Sequence, residues 1–201
     1  MPEFGIDRAP ATELPGRGSR AYLEPTLNHS EPAAATSPLT AAVLTVSDGV
    51  SAGTREDLSA AAVLDVLAAN GYRVTARQVV ADETAAISDA ITALTEHAVL
   101  VVTTGGTGFG PRDVTPEASR AVLDREAQGL VWLMLREGLE ATPMAALSRA
   151  VAGTCGTSLV VNLPGSPRGA VESLSALLPV LPHALALLAG DTEHRSPPPN
   201  S

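Results

Sequence analysis

Lysine is missing altogether: all 13 basic residues of the 201-residue chain are arginine. A Walker-type phosphate loop needs a lysine and is therefore excluded. Basic residues are also outnumbered, 13 against 22 acidic ones, for a formal charge of −9. That argues against a general nucleic-acid surface, which requires a basic face. Any site for an anion must then be made positive locally, by a few arginines or by backbone N–H groups. Cysteine occurs once, at Cys155, which rules out an internal disulfide and a thiolate metal site. The four histidines, His29, His97, His183 and His194, are scattered without ligand spacing. Aromatics make up 2%, so the core has to be built from Ala, Val and Leu. The apolar runs fall well short of the ~20 residues of a membrane span. No basic segment followed by an apolar run opens the chain, so no signal peptide is expected. A cytoplasmic protein with neither membrane nor nucleic acid as partner is what these absences leave.

Residues 1–39 mix Pro, Gly, Ser and charges without an apolar period and read as a flexible extension; 191–201 read as a second flexible tail. Between them, residues 40–190 alternate strand-like and helix-like patterns. Ala41 to Val46, Val74 to Val80, Ala98 to Val102 and Ser158 to Asn162 read as strands. Thr54, with Asp57 three residues on, resembles a capping box, followed by a helical face of Leu58, Ala62, Val63, Val66 and Leu67 and a stop at Asn70-Gly71. Ile87, Ala90, Ile91 and Leu94 form a second stripe. Thr115-Pro116-Glu117 reads as a hydroxyl cap with a first-turn proline and acid. Leu130 to Leu139 reads as a further helix, and Ser166-Pro167 opens a C-terminal helical segment that Pro179 and Pro182 should kink or divide. Gly153-Thr154-Cys155-Gly156 reads as a connection. Apolar strands alternating with helices predict a three-layer α/β/α sandwich with a mostly parallel central sheet. Such sheets bind ligands beyond the C-terminal strand ends, here after Val46, Val80, Val102 and Val161.

The most informative stretch follows the third strand: Thr104-Gly105-Gly106-Thr107-Gly108-Phe109-Gly110-Pro111-Arg112-Asp113. Four glycines in six residues let backbone N–H groups converge on an anion. Alone, the loop equally suits a tight strand-to-helix connection. Asp113 would repel phosphate unless a divalent cation bridges the two, as Mg²⁺ does with one or two carboxylates and substrate phosphates; it could instead pair with Arg112 or cap a helix. Asp82 closes the second strand and also suits a helix cap. Ser47 and Asp48 close the first strand. Asn162-Leu163-Pro164-Gly165-Ser166 closes the fourth, where Ser166 could face an anion and the Asn162 amide a heterocycle edge. Each has a plain structural reading; what distinguishes them is their convergence on one rim.

These blocks, with Val114-Thr115-Pro116-Glu117-Ala118, Leu44 to Asp48, Asp82-Glu83 and Leu147-Ser148-Arg149, resemble the molybdopterin adenylyltransferase (MogA/MoaB) family, to which the gephyrin G domain is similar. The resemblance runs from about residue 41 to 190. It implies a homotrimer and a reaction in which molybdopterin attacks ATP, with Mg²⁺, to give adenylylated molybdopterin and pyrophosphate. Carried over by position, Asp82 and Asp113 would be catalytic and metal-binding. Ser47, Asp48, Thr104, Gly105, Gly106, Thr107 and Gly108 would hold the nucleotide. Ser148, Asn162 and Ser166 would lie toward the pterin, and Arg149 and Gly165 would complete the binding set. Arg112, Arg149 and Arg168 are candidate countercharges; Arg168 stands where some relatives carry lysine. The resemblance also raises a molybdenum-insertion enzyme as partner. The alternative is a non-catalytic paralogue of the same fold that binds molybdopterin or a nucleotide without turnover.

Overall fold

Seven residues from Thr40, six of them buried, can be satisfied only by neighbours on both sides and both faces, and they form the second strand of the sheet. The computed structural model describes residues 38–191; apart from Pro38, Leu39 and Asp191, the expected extensions lie outside them. In chain order the elements are β1 (Thr40–Val46), α1 (Asp48–Ser51), α2 (Leu58–Ala69), β2 (Arg73–Val80), α3 (Thr84–Thr95), β3 (Leu100–Thr104), α4 (Thr115–Arg120), β4 (Arg125–Glu126), α5 (Gln128–Ala141), a 3₁₀ turn (Pro143–Leu147), β5 (Ala152–Cys155), β6 (Ser158–Leu163), α6 (Pro167–Leu177) and α7 (Leu181–Leu188). Among the described residues, no single helix is long and apolar enough to cross a membrane.

The sheet order is β2-β1-β3-β6-β5-β4. The first four are parallel neighbours; β5 and β4 extend the sheet antiparallel. The period-2 alternation of strand side chains divides the apolar residues between two cores. Ala41, Val43, Leu100, Val102, Leu159, Val161 and Leu163 meet α2, α5, α6 and α7 on one face. Ala42, Leu44, Val46, Val101 and Val160 meet α3 and α4 on the other. The three-layer expectation holds. Leu174, Leu177 and Leu181 are fully buried at the α6–α7 corner, where truncating one leucine to alanine costs about 2–5 kcal/mol. Pro179 and Pro182 divide the segment, as expected, into two helices at 65°.

Several local expectations are corrected. Asp57, not Thr54, caps α2: its carboxylate accepts from the Ala60 N–H at 3.0 Å, while the Thr54 hydroxyl donates to the Gly49 carbonyl. The buried face of α2 is Ala60, Val63 and Leu67; Leu58 is 55% exposed. Thr115 does not cap α4. Its buried hydroxyl donates to the Gly105 carbonyl at 2.9 Å and tethers the glycine loop. β2 is half exposed because it is the sheet edge. Cys155 is no connection residue but the end of β5, paired with Ser158 across a two-residue turn. Gly156 opens that turn at φ +58°, the left-handed conformation that tight hairpin turns require.

β1 sends its connection to β2 on one side, and β3 then lands on β1's other side. This reversal of direction creates a crevice beyond the carboxyl ends of β1 and β3, where ligands of open α/β sheets sit.

Candidate active site

A cavity of about 570 Å³ fills that crevice. All four parallel strands contribute to its lining at their carboxyl ends: Ser47 after β1, Asp82 after β2, Thr104 to Gly108 and Asp113 from β3 and its loop, and Gly165 with Ser166 after β6. The loops approach closely, with room lacking at Gly105. Gly105 has φ +97°, and a methyl there would run into the Val46 carbonyl. A methyl at Gly165 would meet the Gly105 Cα at 3.2 Å.

Ordinary partners hold the glycine loop from outside. Gly105 N–H donates to the Leu163 carbonyl at 3.3 Å, and Thr115 N–H to the Gly106 carbonyl at 3.1 Å. Arg149 donates to the Gly108 and Asp113 carbonyls, pairs with Glu117 and stacks over Phe109. Its guanidinium is thus engaged in fixing the loop. The N–H groups of Gly106, Thr107 and Gly108, by contrast, make no hydrogen bond within the described residues. Thr104, 1% exposed, leaves its buried hydroxyl oxygen without a partner among the described residues. Donors left unpaired on a cavity wall are what an anion site requires.

The two aspartates are prepared alike. Asp82 Oδ2 accepts from the Asp48 N–H at 2.8 Å, and Asp113 Oδ2 from the Gly110 N–H at 2.7 Å. Each therefore keeps Oδ1 open, and both line the same cavity. Burial, with added repulsion from the Asp48 and Asp113 carboxylates, pushes the Asp82 carboxyl above its ordinary value, although the Asp48 N–H works against this. Repulsion of this kind is relieved by a cation between the two groups. No cluster of three or more His, Cys, Asp or Glu that could hold a metal occurs among the described residues. Two carboxylates with open oxygens fit Mg²⁺, whose other ligands are commonly waters and phosphate oxygens.

Asp48 stands behind Asp82. Its carboxylate accepts from the Asp82 N–H at 3.0 Å and from both Nε and one terminal nitrogen of Arg112, each at 3.1 Å. Arg112 also reaches Glu83 at 2.7 Å. These bonds hold the Asp48 carboxyl below the usual range, with Arg112 the largest cause. Ser47 caps α1, its oxygen accepting from the Val50 N–H. Ser166 caps α6 by accepting from the Gly169 N–H, which leaves its hydroxyl hydrogen to the cavity. Arg168 is outside the cavity lining, paired with Glu172 at 2.6 Å.

A second cavity, about 300 Å³ and mainly apolar, adjoins the first through Thr107, Gly108, Pro164 and Ser166. Ser148 and Asn162 line it. The Asn162 amide is already taken: it donates to the Thr103 and Ser119 hydroxyls and accepts from the Val151 N–H. It is therefore spent inside the protein, not offered to a heterocycle edge. Sequence reasoning missed Arg55 to Ser59, which wall the first cavity. The capping-box pattern from Thr54 to Asp57 marked a helix start there, not a cavity wall.

Fold and site define a three-layer α/β domain with paired carboxylates and unpaired donors at the carboxyl rim of its parallel strands. The chain belongs to the family described as the probable molybdopterin binding domain, which matches residues 42–183. It is similar to the solved MoaB of Thermus thermophilus, with 50% identity, a TM-score of 0.72, and coverage of 76% of this chain and 97% of that one. It is 39% identical to the molybdopterin adenylyltransferase of Helicobacter pylori J99 over 155 residues, 74% of this chain and 87% of that protein. It is 40% identical to Dictyostelium discoideum gephyrin over 157 residues, 73% of this chain. The chain spans 22% of that gephyrin's length.

Proposed function

We propose that this chain is a molybdopterin adenylyltransferase of molybdenum-cofactor biosynthesis. The observation that carries the reading is one cavity holding two carboxylates, each with an open oxygen, beside three unpaired N–H groups. The Helicobacter pylori relative carries that name and is covered over most of its length.

In this reaction an oxygen of the terminal phosphate of molybdopterin bonds to the α-phosphorus of ATP. The bond from that phosphorus to the oxygen bridging to the β-phosphorus breaks, and its electron pair leaves with pyrophosphate. The nucleophile is already ionised, so no general base is needed. What the protein must do is bring two polyanions together and hold the developing charge. Asp82 and Asp113 would hold Mg²⁺, which supplies positive charge to the phosphates. The Gly106, Thr107 and Gly108 N–H groups and the Thr104 hydroxyl donate to phosphate oxygens. Ser166, shared by the two cavities, sits where nucleotide and pterin meet, and the apolar cavity beside Ser148 takes the pterin. Arg149 fixes the loop.

A homotrimer goes with this reading, supported by the apolar side chains of Trp132 and Leu139, each about half exposed on α5. The cytoplasm is the matching compartment, a molybdenum-insertion enzyme the matching partner, and residues 40–190 the working domain. Purified protein with molybdopterin, ATP and Mg²⁺ should release pyrophosphate in step with adenylylated molybdopterin. Molybdopterin binding without either product would place the chain with non-catalytic paralogues.

A further inference from the structure

The first cavity is acidic, with Glu56, Asp57, Asp82 and Asp113 in its lining, and among the described residues Arg55 is the one basic side chain there. The other arginines around the site are committed. Arg112 holds Asp48 and Glu83, Arg149 holds Glu117 and two loop carbonyls, and Arg77 holds Asp57. The Arg55 side chain makes no hydrogen bond or ion pair among the described residues. Its backbone is nonetheless pinned. The N–H groups of Thr54 and Arg55 and the Thr54 hydroxyl all donate to the Gly49 carbonyl, at 2.9, 3.1 and 3.0 Å. Two residues on, Asp57 caps α2. The result is a guanidinium on a fixed base with an uncommitted head, in a cavity whose other charged side chains are all carboxylates.

We propose that Arg55 is the countercharge for the β- and γ-phosphates of the nucleotide and for the pyrophosphate they become. This rests on the adenylyl-transfer reading above. A chain without lysine has only arginine to bind phosphate by charge, and guanidinium does so bidentately. Arg55 is exposed, which suits the part of the substrate that must depart, whereas the loop N–H groups are fixed and suit the part retained in the product. Neither the glycine motif nor any other motif block includes Arg55, so its assignment comes from the cavity alone.

The experiment compares full-length wild type, Arg55→Gln, Arg55→Lys and, as control, Arg73→Gln, which lies at the opposite end of β2 from the cavity. Binding of ATP, AMP and pyrophosphate is measured by calorimetry with Mg²⁺, alongside steady-state adenylylation. The proposal expects Arg55→Gln to weaken ATP and pyrophosphate by about tenfold, the scale of a lost charge-assisted pair. AMP should change by less than about twofold. Arg55→Lys should recover part of the loss, and 0.5 M salt should shrink the difference, since exposed charges are screened. Arg73→Gln should match wild type. Equal affinities in wild type and Arg55→Gln, or equal losses for ATP and AMP, would overturn the Arg55 assignment while leaving the enzyme reading standing. A wild type that neither binds ATP nor turns over would overturn both.

Discussion

Asp48 and Asp82 exchange two hydrogen bonds, each donating its backbone N–H to the other's carboxylate, at 2.8 and 3.0 Å. The exchange ties the carboxyl end of β1 to that of β2 and fixes which oxygen of Asp82 faces the cavity. Arg112 then locks Asp48 from the glycine loop. Three strand-end segments are thus joined by one carboxylate.

The first prediction concerns this lock. Arg112→Gln should lower kcat about tenfold with little change in the KM for molybdopterin, because Asp82 loses its fixed orientation. Stability should scarcely change, since both partners are about half exposed and water and salt screen such pairs. Steady-state kinetics with a thermal melt checks both. A fall in Tm matching the loss of rate would contradict the positioning role.

The second separates conformation from close approach. Gly105→Ala places a methyl against the Val46 carbonyl at a left-handed φ and should cost more than about 3 kcal/mol. Gly156→Ala, at φ +58° with open space around it, should cost about 1 kcal/mol. Urea unfolding of the two variants should differ accordingly; equal losses would mean that the loop yields.

Asn162→Ala is the third. It leaves the Thr103 and Ser119 hydroxyls and the Val151 N–H short of partners in a fully buried place. The cost should be about 3 kcal/mol. Molybdopterin affinity of the folded fraction should stay within about twofold of wild type. A large affinity loss at unchanged stability would restore Asn162 as a ligand contact.

The fourth is a pH dependence. Burial alone would raise the Asp57 carboxyl, but donors from Thr45, the Ala60 N–H and Arg77 outweigh it and hold the group below its ordinary value of 3.8. A carboxyl depressed in the folded state stabilises the protein above its unfolded pKa, and that contribution is lost as pH falls through the folded value. Asp57→Asn keeps an accepting oxygen for the cap and should cost about 1 kcal/mol at pH 7, from the charge lost to the Thr45 and Ala60 bonds more than from Arg77, which is 44% exposed. The gap to wild type should close below about pH 4. A gap independent of pH would show that charge plays no part.

The sequence disclosed the long apolar elements and little of the short ones. β1, β3, β6 and the stripe of α3 were legible because buried parallel strands and amphipathic helices repeat their pattern over enough residues. β4 and β5 were not. Two residues carry no period, and β5 holds Gly153 and Thr154, which look like loop; only pairing with β6 makes them strand. Thr54 and Thr115 look like caps locally, yet their hydroxyls go to carbonyls outside their helices. The rim residues were found because the parallel topology brings strand ends together. Their division of labour was not, since the hydrogen bonds that commit Asn162, Arg149 and Arg168 are invisible in one dimension. Arg55 escaped notice for the converse reason: what distinguishes it is the absence of a partner among the described residues.

The pair Asp82 and Asp113 carries the central claim. Asp82→Asn and Asp113→Asn keep the size and the accepting oxygen of each side chain while removing its charge. With molybdopterin, ATP and Mg²⁺, pyrophosphate release by each variant should fall about a hundredfold or more. Molybdopterin affinity should remain within a few-fold of wild type. Adenylylated molybdopterin formed by both variants at the wild-type rate would contradict the account.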